Sequence, residues 1–264
     1  FVASELLWKE KGIRLKQETV FPQQPETQIT ITGGQARFSL MIRYPGWVAA
    51  NAMKIKVNGK AVHFSNAPAS YVAINRTWKK GDVVDVSLPM RTQVEKLINV
   101  PQYIAFMHGP VLLAVRSGNE ALDGLVAGDG RWAHIASGRK LPLDKAPVIV
   151  TDNISSFVSE LRPDAKTPFK FQINNTSVEN ASELILEPFN QIHDARYQMY
   201  FLSVSKNEYK DRIATMQREE QEKQELDKRT IDFVAPGEQQ PEADHDMKTK
   251  DSRKGTVMDG FWRD

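Results

Sequence analysis

Met53-Lys54-Ile55-Lys56-Val57-Asn58-Gly59-Lys60-Ala61-Val62-His63-Phe64 is the stretch on which the fold class turns. Met53, Ile55 and Val57 alternate with lysines, so their side chains share one face of a strand. Asn58-Gly59 supplies the two positive backbone angles of a two-residue type I′ turn. Val62 and Phe64 then carry the apolar face of the returning strand. An antiparallel hairpin with one covered face follows from twelve residues.

The same signal extends in both directions. Ile13–Gln17 and Thr27–Thr32 alternate, Gly33-Gly34 turns the chain, and Phe38–Arg43 runs to Tyr44-Pro45-Gly46. Tyr71–Asn75 and Val83–Leu88 are joined by Trp78-Lys79-Lys80-Gly81-Asp82, a polar turn with one aromatic anchor. Tyr103–Met107 and Val111–Val115 are almost continuously apolar and read as central strands covered on both faces, parted by His108-Gly109-Pro110. Residues 117–147 break into Gly, Asp and Lys around Trp132, the pattern of a long loop or insertion. Pro147–Val150, Phe169–Ile173, Leu184–Leu186 and Tyr197–Leu202 read as further strands.

One helix is announced by its own cap. Ser205 followed by Glu208 forms a capping box, and Tyr209, Ile213 and Met216 fall on one face. Gln217–Gln224 holds no apolar residue, and Glu208/Arg212, Glu219/Lys223 and Glu225/Arg229 are spaced as i,i+4 pairs. From Thr230 the chain reads as an extended tail. The fold expected is mainly β: an antiparallel β-sandwich or jelly roll with one C-terminal helix. The divisions expected are a sandwich over 1–147, a second β-rich module over 148–229 ending in the helix, and over 230–264 a linker opening a further module. Phe1, with no initiator Met, and the bulky Phe261-Trp262 near the last residue read as the ends of a piece of a longer chain.

Composition excludes whole classes of chemistry. Of 264 residues 41% are apolar and 26% charged, which is ordinary globular material. A formal charge of +2 gives no electrostatic case for nucleic acid, and no apolar run reaches membrane-spanning length. Cysteine is absent, so disulfides, thiolate zinc sites and cysteine nucleophiles are excluded within this sequence. No GxSxG, Walker or GxGxxG motif occurs, and Gly124, Gly128 and Gly130 are loop glycines.

Each candidate site residue has a plainer competitor. Asp244-His245-Asp246 carries metal-ligand atoms but sits in a polar tail, where solvated charge explains it; no metal site is assigned. His193-Asp194-Ala195-Arg196-Tyr197 could hold an imidazole tautomer and fork an Arg onto a carboxylate or sugar hydroxyls. A strand-entry turn whose polar groups satisfy one another explains it as well. Trp47, Trp78, Trp132 and Trp262 could stack on a sugar ring or lid a core. The binding candidates are therefore Trp47, Trp132, His193, Asp194, Arg196 and Tyr197, and no catalytic residue is assigned.

Several segments together resemble one family: Ser4–Gly12, Ile42-Arg43-Tyr44-Pro45-Gly46-Trp47, Val57-Asn58-Gly59-Lys60, Trp78–Asp82 and Tyr103–Ala114. They are similar to the region after the catalytic barrel in bacterial β-L-arabinofuranosidase-like glycoside hydrolases, long known as a domain of unknown function. Pro188–Tyr197 resembles the module that follows in Bacteroides-type members, and Val234–Glu242 the opening of another C-terminal module. The resemblance implies an upstream (α/α)6 barrel with a zinc-bound cysteine nucleophile, further cysteine ligands and glutamates. None of these lies in the matched segments, so no cofactor is expected in this chain and the catalytic zinc belongs to the barrel. It further implies a periplasmic or secreted parent acting on plant-type or other complex glycans. The partners implied are the chain's own barrel and the following module, with no nucleic acid or membrane. The function expected is a non-catalytic accessory fragment supporting the barrel. The alternatives are an autonomous carbohydrate-binding module, with carbohydrate as partner, and a structural spacer.

Overall fold

The computed structural model describes residues 1–120, 122, 143–173, 177–193 and 195–231. The chain divides into a compact unit over Phe1–Ile213 and another over Ala214–Asp264. The first is mainly β, as the alternation predicts, and holds two separate hydrophobic cores.

The first core lies within residues 13–88. Its strands are β1 (Ser4–Trp8), β2 (Ile13–Glu18), β3 (Glu26–Gly33), β4 (Gln35–Tyr44), β5 (Lys54–Val57), β6 (Lys60–Ala61), β7 (Ser70–Lys79) and β8 (Val83–Ser87). Six of them form one sheet in the order β1-β2-β3-β8-β5-β6, and β4 and β7 pair over ten residues as a separate ribbon. Ile13, Ile31, Ile55, Val84 and Val86 of the sheet share a core with Ile42, Tyr44, Val72, Ile74 and Trp78 of the ribbon. That is a sandwich: each layer buries one face of alternating side chains against the other. Trp78 is fully buried and donates its indole N–H to the Phe38 carbonyl at 3.2 Å.

The Asn58-Gly59 turn forms as its residues require, with φ of 51° and 76°. The returning strand is shorter than expected. Lys60–Ala61 pairs with β5 and the Val62 N–H still donates to the Ile55 carbonyl at 2.9 Å, while Val62 and Phe64 pack on the core.

The second core gathers Ile104, Phe106, Leu113, Ile149, Phe157, Leu184, Leu186 and Phe201. Its strands are β9 (Thr92–Lys96), β10 (Tyr103–His108), β11 (Val111–Arg116), β12 (Val148–Val150), β13 (Arg162–Pro163), β14 (Phe171–Ile173), β15 (Val178–Glu179), β16 (Leu184–Pro188), β17 (Tyr197–Gln198) and β18 (Phe201–Val204). They form a ten-stranded sheet with β10 and β11 in its interior, as their continuous apolarity predicts. The pairing is antiparallel except for β12 beside β18. A short helix, α1 (Ile154–Ser159), capped by Asn153 at 3.1 Å from Ser156 N, brings Phe157 into this core. With fewer than two turns it is too short for its periodicity to show in the sequence.

One expected boundary moves. Strands β10 and β11 fall within the expected first domain, yet β10 pairs with β18 and β11 with β16 and β17. The sheets therefore part between Ser87 and Thr92, and position 147 lies inside a single sheet. Only the pairing of distant strands could reveal this, because a strand apolar on both faces does not name its neighbour.

The C-terminal helix α2 runs Tyr209–Ile231. Its capping box forms: Ser205 Oγ accepts from Glu208 N at 3.3 Å, and Glu208 Oε2 accepts from Ser205 N at 3.2 Å. Glu208 thus turns back to the cap rather than to Arg212. Met216 is buried, and the described side chains from Gln217 onward are almost all exposed. The expected tail over 232–264, with Asp244-His245-Asp246, Phe261 and Trp262, lies outside the described residues, as do Gly124, Gly128 and Gly130.

Candidate functional site

The outer face of the six-stranded sheet carries the polar half of each strand's alternation. There β1, β2, β3, β8 and β5 line a shallow groove of about 1080 Å³. Register sets the neighbours: Glu5 lies opposite Lys16, Glu18 opposite Gln28, and Asp85 opposite both Gln28 and Lys56. Lys16 reaches Glu18 at 2.8 Å, Gln28 donates to Asp85 at 2.7 Å, and Gln17 donates to the buried Thr27 at 2.9 Å. The Glu18 carboxylate, by hydrogen bond and charge, holds the Lys16 ammonium above its ordinary pKa. The groove offers amides, carboxylates and ammoniums in rows, and no aromatic ring lines it. It can meet a polar surface or hydroxyl groups.

At one end of this sandwich three aromatics gather. Trp47 stacks on Phe21 with ring centroids 5.9 Å apart, and Phe21 meets Phe1 edge-on at 5.9 Å. Trp47 is half-buried at the border of the first core.

The other candidates lie far along the chain, in the second sheet. His193 is exposed, and its carbonyl accepts from Arg116 Nη1 at 3.4 Å. The Arg116 side chain also binds Glu187 and the Gln191 carbonyl, so one guanidinium holds the whole 187–193 turn. Arg196 is fixed by backbone and side chain: its N–H donates to Gly118 O at 2.9 Å and its Nε to Glu120 O at 2.7 Å. Tyr197 is half-exposed and meets Phe189 edge-on at 4.9 Å. His193, Arg196 and Tyr197 are thus held through Arg116, Gly118, Glu120 and Phe189, while Trp47 borders the first core. Trp132 and Asp194 lie outside the described residues.

Two polar centres escaped the reading of motifs. Asp82 is buried and accepts from Asn58 Nδ2 at 2.8 Å and Lys79 N at 3.0 Å, with Arg76 at 3.5 Å. Burial pushes its carboxyl up, but Asn58, Lys79 N–H and Arg76 outweigh this and hold it below its ordinary pKa. Asn58 Oδ1 in turn accepts from Val83 N at 2.8 Å, so the pair clips two turns together. His108 lies against Phe171 and Phe169 with Nδ1 2.9 Å from Thr92 Oγ1, and burial pushes its pKa down. Among the described residues no group of His, Cys, Asp and Glu could hold a metal, and no helix is long and apolar enough to cross a membrane.

Residues 1–90 match the family described as β-L-arabinofuranosidase, GH127 middle domain. Residues 93–203 match DUF4986, a domain of unknown function, and residues 225–264 a family of unknown function (DUF6805). The step from the first match to the second falls where the sheets part. No curated protein matches. Among solved structures, one titled glycoside hydrolase is 20% identical with a TM-score of 0.49, over 76% of this chain and 34% of that one. The GH127 β-arabinofuranosidase BT3674 is 20% identical with a TM-score of 0.47, over 77% and 34%. Ara127N-Se, a GH127 β-L-arabinofuranosidase from Geobacillus stearothermophilus T6, is 16% identical with a TM-score of 0.49, over 76% and 32%. This chain spans about a third of the length of each. The resemblance to β-L-arabinofuranosidase-like glycoside hydrolases stands, and the chain is similar to a part of such an enzyme.

Proposed function

We infer, from the match of the entire first sandwich to a GH127 middle domain, that this chain is a non-catalytic accessory part of a glycoside hydrolase. It supports a catalytic barrel, and the parent acts on plant-type or other complex glycans in the periplasm or outside the cell. Its partners are that barrel and a following C-terminal module. The residues present do not fit the zinc that the resemblance implies for the barrel. The sequence has no cysteine, and the described residues bring no alternative ligands together. The groove's lack of aromatic rings gives the carbohydrate-binding reading less support than the scaffold reading.

The test is an aryl-arabinofuranoside assay on the purified chain beside the full-length gene product. The chain alone is expected to be inactive, and deleting residues 1–203 from the full-length protein is expected to abolish soluble, active enzyme. Turnover by the chain alone that survives chelator and thiol blockers would overturn this reading.

A further inference from the structure

We propose that the outer face of the β4–β7 ribbon is a binding surface for a carboxylate-bearing polysaccharide, gripped by Arg37 and Arg43. The choice of a sugar among sparse anions rests on the accessory reading above. Register fixes which side chains share this face: Arg43 stands opposite Tyr71, Ser39 opposite Asn75 and Arg37 opposite Thr77. All of these are exposed, while the alternate positions Ile42, Val72, Ile74 and Trp78 turn inward to the first core. The outward positions, the odd numbers within 35–43 and 71–79, hold no Asp or Glu. Lys79 adds a third cation at the Arg37 end, partly answered by the field of the buried Asp82.

Two contrasts set this face apart. The outer face of the six-stranded sheet interleaves both signs, so that Lys16 has Glu18 at 2.8 Å and Glu5 opposite it. On the inner side of the ribbon, Arg76 lies 3.5 Å from Asp82. Arg37 and Arg43 have no ion pair among the described residues. Arg43 instead lies over the Tyr71 ring, its guanidinium carbon 5.0 Å from the centroid. That contact holds the guanidinium at the sheet without consuming its N–H donors, which stay ready to fork a carboxylate. The groove offers no ring; this face offers Tyr71, 49% exposed, beside the fork.

Charge spacing selects the occupant. Arg37 and Arg43 belong to one strand, and their separation is about 20 Å along it at the ordinary rise per residue. Nucleic acid carries a charge every ~1.7 Å and would leave nearly all its phosphates unanswered. Between the arginines stand Ser39 and Asn75, and Thr77 lies beside Arg37. Hydroxyls and amides of this kind exchange hydrogen bonds with sugar hydroxyls. A protein interface has an apolar centre, whereas Met41 and Ala73, opposite each other, are the only aliphatic side chains on this face. A chain of hydroxylated rings with intermittent carboxylates matches the whole row.

Affinity electrophoresis and calorimetry with polygalacturonate test the proposal on this chain and on the full-length gene product. Both should bind it, and should bind carboxyl-reduced polygalacturonate at least about tenfold more weakly. Arg37→Gln with Arg43→Gln should weaken binding at least about tenfold at an unchanged urea midpoint. Should that pair disturb folding, Asn75→Asp, which sets a carboxylate between the arginines and keeps both, must weaken binding severalfold. Tyr71→Ala should weaken it about two- to fivefold, and Tyr71→Phe should restore it, with one urea midpoint for both. Equal affinity for the reduced polymer, or for poly-L-glutamate, overturns the assignment, since the first lacks the carboxylate and the second the sugar. Binding indifferent to the arginine and Asn75 variants places the site elsewhere and overturns it too. Binding by the chain alone that the full-length protein lacks shows the face covered by a neighbouring domain, and also overturns it. No binding by either, with the chain alone inert toward aryl-arabinofuranosides, overturns the site and leaves the accessory reading standing. Turnover by the chain alone overturns the accessory reading, while the site is still judged by its arginines.

Discussion

Replacing Asp82 should unlock the first sandwich, because its carboxylate joins two turns that are distant in sequence. In Asp82→Ala the Asn58 amide and the Lys79 N–H lose their acceptor at a site 2% exposed. Each buried donor left unpaired costs about 1–3 kcal/mol, so the expected loss is about 3–5 kcal/mol. Arg76, partly in water at 3.5 Å, adds little. Asp82→Asn keeps one acceptor oxygen for two donors and should cost about 1–2 kcal/mol. The assay is urea unfolding followed by tryptophan fluorescence, with Trp78 as the reporter buried in the same core. With a slope of about 2 kcal/mol/M, Asp82→Ala should lower the midpoint by about 2 M. A cycle with Asn58→Ala should give a coupling of about 1 kcal/mol or more. The effect also has a pH sign. Because the folded carboxyl lies below its ordinary value of 3.8, its stabilisation is complete above that value and is lost as pH falls through the folded pKa. The gap between parent and Asp82→Ala should therefore close only in strong acid. A loss under about 1 kcal/mol at pH 7, or strict additivity with Asn58→Ala, would refute the clip.

Gly34→Ala should be among the most damaging single substitutions. With φ at +81° and the new Cβ 1.9 Å from the Gly12 carbonyl oxygen, the β3–β4 turn cannot keep its backbone, and a midpoint shift like that of Asp82→Ala is expected; an unchanged urea curve would disprove it. His108 is held below its ordinary 6.5, so its neutral form stabilises the second sheet above that pH and the benefit declines as pH falls through the folded value. His108→Phe should flatten that pH dependence, and an imidazole that titrates by NMR at 6.5 or above would contradict it. Ser205→Ala should cost about 1 kcal/mol by removing the oxygen that accepts from Glu208 N, read as faster exchange in the first turn of α2. Protection along α2 should decline after Met216, since nearly every later described side chain is exposed. Uniform protection to Lys228 in a dilute monomer would show a covering surface there.

Much of the fold was legible because it depends on neighbours in sequence. Alternation in 13–17, 27–32 and 83–88, the Asn58-Gly59 turn and the Ser205 cap are local devices with local causes, and a strand, turn or cap formed at each. The strand 92–96 was missed because Gln93 and Glu95 interrupt too short an apolar pattern around Val94. The candidate cluster at 193–197 was legible as a dense polar turn. What could not be read was Arg116, 71 positions before its partner Glu187, as the group that organises it. Trp47 was visible as an indole after Pro45-Gly46, but not as a ring stacked on Phe21.

Sequence alone determined the class of this protein: mainly β, helix-capped at Ser205, and without the thiol chemistry its resemblance assigns to a barrel elsewhere. Those properties rest on residue type, on period and on turns of two or three residues, so no distant partner is needed to state them. Tertiary structure alone decided where one sheet ends and the next begins, and which polar residues line one groove. Each of these depends on which strands hydrogen-bond across tens of residues. Alternation says that a strand has an inside and an outside; only pairing says beside whom, and against what, those faces lie.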